Sequence, residues 1–172
     1  MWSRAERELL QILDDLVRKP AALTEIQSIS DRLFARLVAE GKSLAKEPVP
    51  LGTFGKALPD VIRAGWVYVM RSPSETGTER HPNSRQRTMS LRGRGQFRLR
   101  IPGDYRICEH GRRVAPWDSL PMESDPTKPI DARWVSIPQN QWHQAVAAEG
   151  DWVMISFHTV TERDLIEEHP PG

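Results

Sequence analysis

The chain has 172 residues, about one domain's worth, enough to bury one sizeable core. Its 24 Lys+Arg against 23 Asp+Glu give a formal net charge of +1, which argues against a dedicated nucleic-acid binder or an acidic tail protein. The apolar fraction is 38%, a little under the usual ~45–50%, yet six tryptophans and clear periodic segments mark a globular chain. A single cysteine, Cys108, excludes a disulfide framework and a cysteine-rich zinc site. No apolar run approaches the ~18 residues of a membrane span, and Met1–Glu6 contains no apolar signal core. The expectation is a soluble, cytoplasmic protein of one domain, with no membrane contact.

Residues 3–46 read as helix, within an N-terminal helical segment spanning 1–47. Leu9, Leu10, Ile12, Leu13, Leu16 and Val17 share one face at 3.6 spacing. Ser3 and Glu6 fit a capping box, in which hydroxyl and carboxylate each satisfy a free backbone N–H. Pro20 marks a break, after which Leu23, Ile26, Ile29, Leu33, Leu37 and Leu44 make a second stripe interrupted by Gly41. Such stripes pack on the main body or on a second copy, the latter giving a homodimer.

A breaker-rich connector follows, with Pro48, Pro50, Gly52, Gly55 and Pro59. From residue 65 the pattern changes to strands and turns. Trp66–Met70, Thr88–Leu91, Gln96–Ile101, Trp134–Ile137 and Trp152–Phe157 carry β-branched, aromatic or alternating residues. Arg92-Gly93-Arg94-Gly95 reads as a hairpin connection. Residues 102–133 hold five prolines and read as a long insertion with little regular structure, in which Trp117 is a candidate lid residue. His169–Gly172 reads as a tail. Short strands at regular spacing predict a mainly β fold, a sandwich or small barrel.

The segment Thr78–Gly95 resembles the first motif of the cupin superfamily, which are double-stranded β-barrels of jelly-roll type. Gly93 and Gly95 take the hairpin glycines, and counting back places the ligand positions on Glu79, His81 and Gln86. The second motif is matched by Ile137–His143, with Pro138 at the turn and His143 as its histidine. The resemblance implies a cupin-like β-barrel over about 60–168, interrupted by the 102–133 insertion. It also implies one divalent first-row metal ion, iron foremost, with manganese, nickel or zinc as alternatives. The family's usual set is three histidines and a glutamate. Here the first position is a carboxylate and the third a neutral amide.

Read as chemistry, Glu79 and His81 are i, i+2 on an extended segment and point to one face. Two imidazoles and one carboxylate form a facial set that suits a non-haem first-row ion with open positions, and Gln86 could add an amide oxygen. Such a site polarises a bound carbonyl, lowers the pKa of bound water or, with iron, activates dioxygen. The alternative is structural: His81 in a surface turn with Pro82 and Asn83, and His143 making a buried hydrogen bond beside Trp142. His158, at the end of a strand, rivals His143 as the distal ligand.

Seven arginines crowd residues 80–100, with no Lys, Asp or Glu from 80 through 103. Arginine binds carboxylate and phosphate in a two-pronged grip. Arg98 and Arg100 share a strand face opposite Phe97, Leu99 and Ile101. If that face lines the barrel, Arg87, Arg98 and Arg100 would hold a polar or anionic small molecule. If it lies outside, they are a solvated stripe. Nucleic acid is disfavoured by the near-neutral charge and the lack of a stacking platform.

Cys108, Glu109 and His110 lack a base-orienting partner in sequence. No Gly-x-Ser-x-Gly, phosphate loop or dinucleotide fingerprint occurs. Trp142 would face outward if its strand is regular. The sequence expectation is a metal-dependent small-molecule enzyme of dioxygenase-like type, or a ligand-binding or sensing module of the same fold.

Overall fold

The computed structural model describes residues 2–100, 106–107, 113–114 and 116–170. Cys108, Glu109 and His110 lie outside them. Helix α1 (Arg4–Val17) opens on Ser3, whose hydroxyl accepts the Glu6 N–H at 3.1 Å. The Glu6 carboxylate does not complete a capping box but leaves the helix to bind Arg87 and Ser136. Helix α2 (Pro20–Glu40) starts on its proline, whose missing N–H is one the first turn would leave unpaired anyway. It stops at Gly41, which adopts φ +64°.

Leu44 therefore does not extend the helical stripe. The chain turns into β1 (Leu44–Pro48), which pairs antiparallel with β2 (Ala64–Met70). There follow β3 (Ser74–Glu75), β4 (Gln86–Arg92), β5 (Arg94–Arg100), β6 (Arg106–Ile107), β7 (Arg113–Val114) and β8 (Trp117–Glu123). A one-turn helix, α3 (Ile130–Arg133), leads to β9 (Trp134–Ile137), β10 (His143–Ala147) and β11 (Trp152–His158). The expected insertion thus contains a seven-residue strand and a helical turn. Trp117 is no lid: it belongs to β8 and lies beneath the Arg100 guanidinium, 5.1 Å from ring to cation.

The strands form a five-stranded sheet, β1-β2-β11-β4-β9, facing a four-stranded one, β3-β10-β5-β8, while β6 and β7 pair separately. The result is a mainly β jelly roll with an N-terminal helical part, built as two facing sheets and not as one closed ring.

Strand parity assigns the two faces of the larger sheet. Val67, Val69, Met89, Val153, Ile155 and Phe157 point outward, into one cluster with Leu10, Leu13, Val17, Ile26, Ile29, Leu33 and Leu37. The helices' apolar stripe is therefore used by the chain's own sheet. Each such aliphatic side chain contributes about 1.5–3 kcal/mol by leaving water. Ile12, placed on that stripe by periodicity, is 45% exposed. The inward residues, among them Met70, Phe97, Val135, Ile137, Ala145, Trp152 and Met154, form a second cluster between the sheets.

Buried polar contacts fasten α1 to the sheet. Asp14 accepts from Arg133, from Trp134 Nε1 at 2.8 Å and from Arg18 at 2.9 Å. Glu6 accepts from Arg87 and Ser136.

Candidate metal centre

The backbone of Glu79 and that of His143 exchange both hydrogen bonds, each 2.9 Å long. Residues so paired stand side by side on one face of an antiparallel ladder. His81, two residues on, points to the same face, and its carbonyl accepts the Asn140 N–H at 3.1 Å. Ligand atoms of Glu79, His81 and His143 consequently all lie within 4.8 Å of one another. Glu79 Oε1 stands 3.4 Å from His143 Nε2 and 3.9 Å from His81 Nε2.

Hydrogen bonds from outside the group fix both rings. His143 Nδ1 lies 2.9 Å from the Gln141 carbonyl and His81 Nδ1 lies 3.3 Å from the Ile166 carbonyl. A carbonyl can only accept, so each Nδ1 carries a proton and each Nε2 turns toward Glu79. Backbone contacts of this kind hold the rings of metal-binding histidines. Among the described residues His143 Nε2 is buried without a hydrogen-bond partner, and its approach to Glu79 lacks hydrogen-bond geometry. Two imidazole nitrogens and a carboxylate converging on one buried point could hold a cation, and their donor chemistry fits a first-row divalent ion.

The electrostatics agree. Burial raises the Glu79 carboxyl, but contact with His143 and the charges of His81 and Lys46 outweigh it, holding the group below its usual range. Burial lowers His81, and the neighbouring His143 lowers it further.

Gln86 begins β4 and faces inward. Its amide nitrogen donates to Thr88 Oγ1 at 3.1 Å while Oε1 is buried and, among the described residues, unpartnered. With Tyr68, Thr76, Glu79, Thr88, Phe97, Ala145 and Met154 it walls a cavity with room for about one water. Burial, reinforced by the charges of Glu79 and Glu167, pushes the Tyr68 phenol well up. His158 pairs in register with Gln86, and its ring meets His81 edge-on at 4.9 Å and Trp66 at 5.0 Å. It stands outside the three-residue group. Burial, then the charges of His81 and His143, holds it well below its ordinary value.

The arginines lie elsewhere. Arg87 points from the opposite face of β4 and grips Glu6 through Nε and a terminal nitrogen, at 2.8 and 2.9 Å. Arg98 and Arg100 occupy the face of β5 opposite Phe97, the face on which Arg100 covers Trp117. The expectation that these three hold substrate in the barrel fails on strand parity. Lys46, which the sequence reading passed over, stands on the inward face of β1 opposite Tyr68 and 3.5 Å from Glu167. Its charge reaches both Glu79 and His158. Trp142, just before β10, carries Arg80 over its ring at 4.6 Å.

A roomier cleft, about 620 Å³, runs between the start of α1 and the β8 and β9 edges. None of Glu79, His81 or His143 lines it.

No protein-family model matches the sequence. No curated protein matches it either. Solved structures do match the fold. Vicilin from Solanum melongena superposes with a TM-score of 0.52 at 13% identity, over 76% of this chain and 31% of that one. An oxalate oxidase solved with glycolate gives 0.50 at 8% identity, over 74% and 55%. An oxalate decarboxylase gives 0.50 at 8%, over 74% and 28%. The chain thus spans between about a quarter and a little over half the length of these neighbours.

Proposed function

We propose that this chain, whose fold is that of the cupin superfamily, is a metal-dependent small-molecule enzyme of dioxygenase-like type. The observation that carries the reading is the joint aim of His81 Nε2 and His143 Nε2 at Glu79, with both Nδ1 atoms tied to backbone carbonyls. A first-row divalent ion, iron foremost, held by Glu79, His81 and His143 would polarise a bound oxygen ligand or take up dioxygen. The Gln86 amide oxygen stands by as a neutral fourth donor. One carboxylate and neutral partners give the set the same formal charge as three histidines and a glutamate.

The chain's own residues then limit what enters. The inner cavity admits about one water beside the cluster, so the substrate is small or reaches the centre with one end only. Phe97, Met154 and Ala145 keep the wall apolar and exclude bulk water. Lys46, half exposed on the edge strand and 3.5 Å from Glu167, supplies positive charge that reaches Glu79 and would favour an anionic group such as a carboxylate. Solved structures of this fold include a vicilin with anionic ligands and an oxalate oxidase with glycolate, in keeping with a small carboxylate.

Oxygen uptake by iron- and manganese-loaded protein, with oxalate, glycolate and other small carboxylates, tests the reading. Uptake with one of them, absent in His143→Ala, is expected. Tight carboxylate binding without uptake or product would overturn turnover. It would favour the second reading, a non-catalytic binding or sensing module, which the narrowness of the cavity supports.

A further inference from the structure

Residues 164–169 cross the segment that carries Glu79 and His81. The Asn83 side-chain amide grips them at two points, donating to the Asp164 carbonyl at 2.7 Å and accepting the Ile166 N–H at 3.1 Å. Just past the second point the Ile166 carbonyl takes the His81 Nδ1–H. Arg80 and Glu168 exchange both backbone hydrogen bonds at 3.0 Å, and their side chains pair at 2.6–2.7 Å. Glu167 reaches Lys46 at 3.5 Å, and His169 Nδ1 lies 3.1 Å from the Thr78 carbonyl.

These ties are polar and lie near the surface. Neither apolar side chain of the segment is buried: Ile166 is 49% exposed and Leu165 is only partly covered. Exposed ion pairs each contribute little, and a segment without a buried apolar anchor opens at low free-energy cost. Its one link to the buried chemistry is the Ile166 carbonyl on His81.

We infer that residues 164–169 form a detachable strap that positions His81, so that docking of the strap and binding of the metal ion stabilise each other. The inference rests on the metal-centre reading and adds to it what holds one ligand in place. With the strap docked, His81 keeps its proton on Nδ1 and turns Nε2 inward. With the strap released, that ring loses its partner and is free to turn, and the Lys46–Glu167 contact is broken. Coupling of this kind is reciprocal: whatever factor the strap adds to metal affinity, the metal adds to strap docking. Outer partners of metal-bound histidines typically contribute about 10–100-fold to affinity. Asn83 is the positioning residue through which side-chain chemistry acts on the strap.

The test uses Co(II) as the probe. Hydrogen exchange of the Ile166 and Glu168 amides is measured on the wild-type protein with and without the ion. Co(II) affinity and ligand-field absorption are then compared for wild type, Asn83→Ala and Ile166→Ala. The proposal expects slower exchange of both amides on Co(II) binding. It also expects roughly tenfold or greater loss of affinity with an altered spectrum in Asn83→Ala. Ile166→Ala should behave as wild type, because the contact is made by the backbone. Co(II) binding with unchanged amide exchange overturns the strap and leaves the metal centre standing, even if Asn83→Ala fails to fold. A wild-type protein that takes up no Co(II) overturns both.

Discussion

Arg87 and Glu6 face each other across the gap between strand β4 and helix α1, joined by two hydrogen bonds of 2.8 and 2.9 Å. Gln86, one residue earlier, points the other way, into the cavity beside Glu79. Arg87 therefore fastens the helical part to the sheet. Removing one partner of a buried ion pair costs about 3–5 kcal/mol. Arg87→Ala should lower the melting temperature by about 6–20 °C and leave metal content unchanged. Calorimetry with elemental analysis checks both. Unaltered melting with lost carboxylate binding would return Arg87 to the site.

The same pair makes a pH prediction. Burial raises the Glu6 carboxyl, but hydrogen bonds from Arg87 and Ser136 and the charges of Arg87 and Arg85 outweigh it, so its folded value lies below the ordinary one. Above about pH 4.3, the unfolded value, the carboxylate is ionised in both states and its contribution is complete. As pH falls further the unfolded chain binds the proton first, and stability drains until the folded value is passed. Melting curves from pH 6 down to 3 should fall more steeply for wild type than for Glu6→Gln. Parallel curves would contradict this assignment.

Asp14, buried at the other end of α1, accepts from Arg133, Trp134 and Arg18. Asp14→Ala leaves the Arg133 guanidinium buried without its anion and should cost on the order of 3 kcal/mol. Chemical denaturation of the variant measures this. A cost under 1 kcal/mol would mean that water replaces the carboxylate.

Gly95 tests why a glycine stands at the hairpin. A Cβ there would clash with the face of the Trp152 ring, which packs against the glycine backbone, whereas Gly93 needs φ +80°. Trp152 is held by its Nε1 donating to Ser90 at 2.8 Å. Gly95→Ala should destabilise by about 1–3 kcal/mol, with loss of the near-ultraviolet tryptophan signal. Gly95→Ala with wild-type stability and signal would show that the ring can shift.

Much of the fold was legible because its determinants are periodic. Alternation marked β4 and β5, β-branched and aromatic runs marked β2, β9 and β11, and the motif spacing singled out Glu79, His81 and His143, whose ligand atoms lie within 4.8 Å of one another. Strand β1 was hidden because Leu44 follows Leu37 by seven residues and so continues a helical period. Only the left-handed turn at Gly41 breaks it. Strand β8 was hidden because Pro121 argues against a strand. It is tolerated at the edge of the four-stranded sheet, where a missing N–H costs no ladder bond. The arginines misled because composition carries no parity: whether Arg87, Arg98 and Arg100 face in or out depends on which neighbours meet the core. The strap left no sequence signal, since its contact with His81 is a backbone carbonyl that any residue could supply.

Glu79, His81 and His143 together are expected to hold a metal ion. Elemental analysis by mass spectrometry, on protein purified without chelator or nickel affinity resin, addresses it directly, beside a His81→Ala/His143→Ala double variant shown to be folded. The account predicts close to one equivalent of iron, manganese, nickel or zinc in the wild type and none in the variant. No metal in either after reconstitution, or equal metal in both, would contradict it.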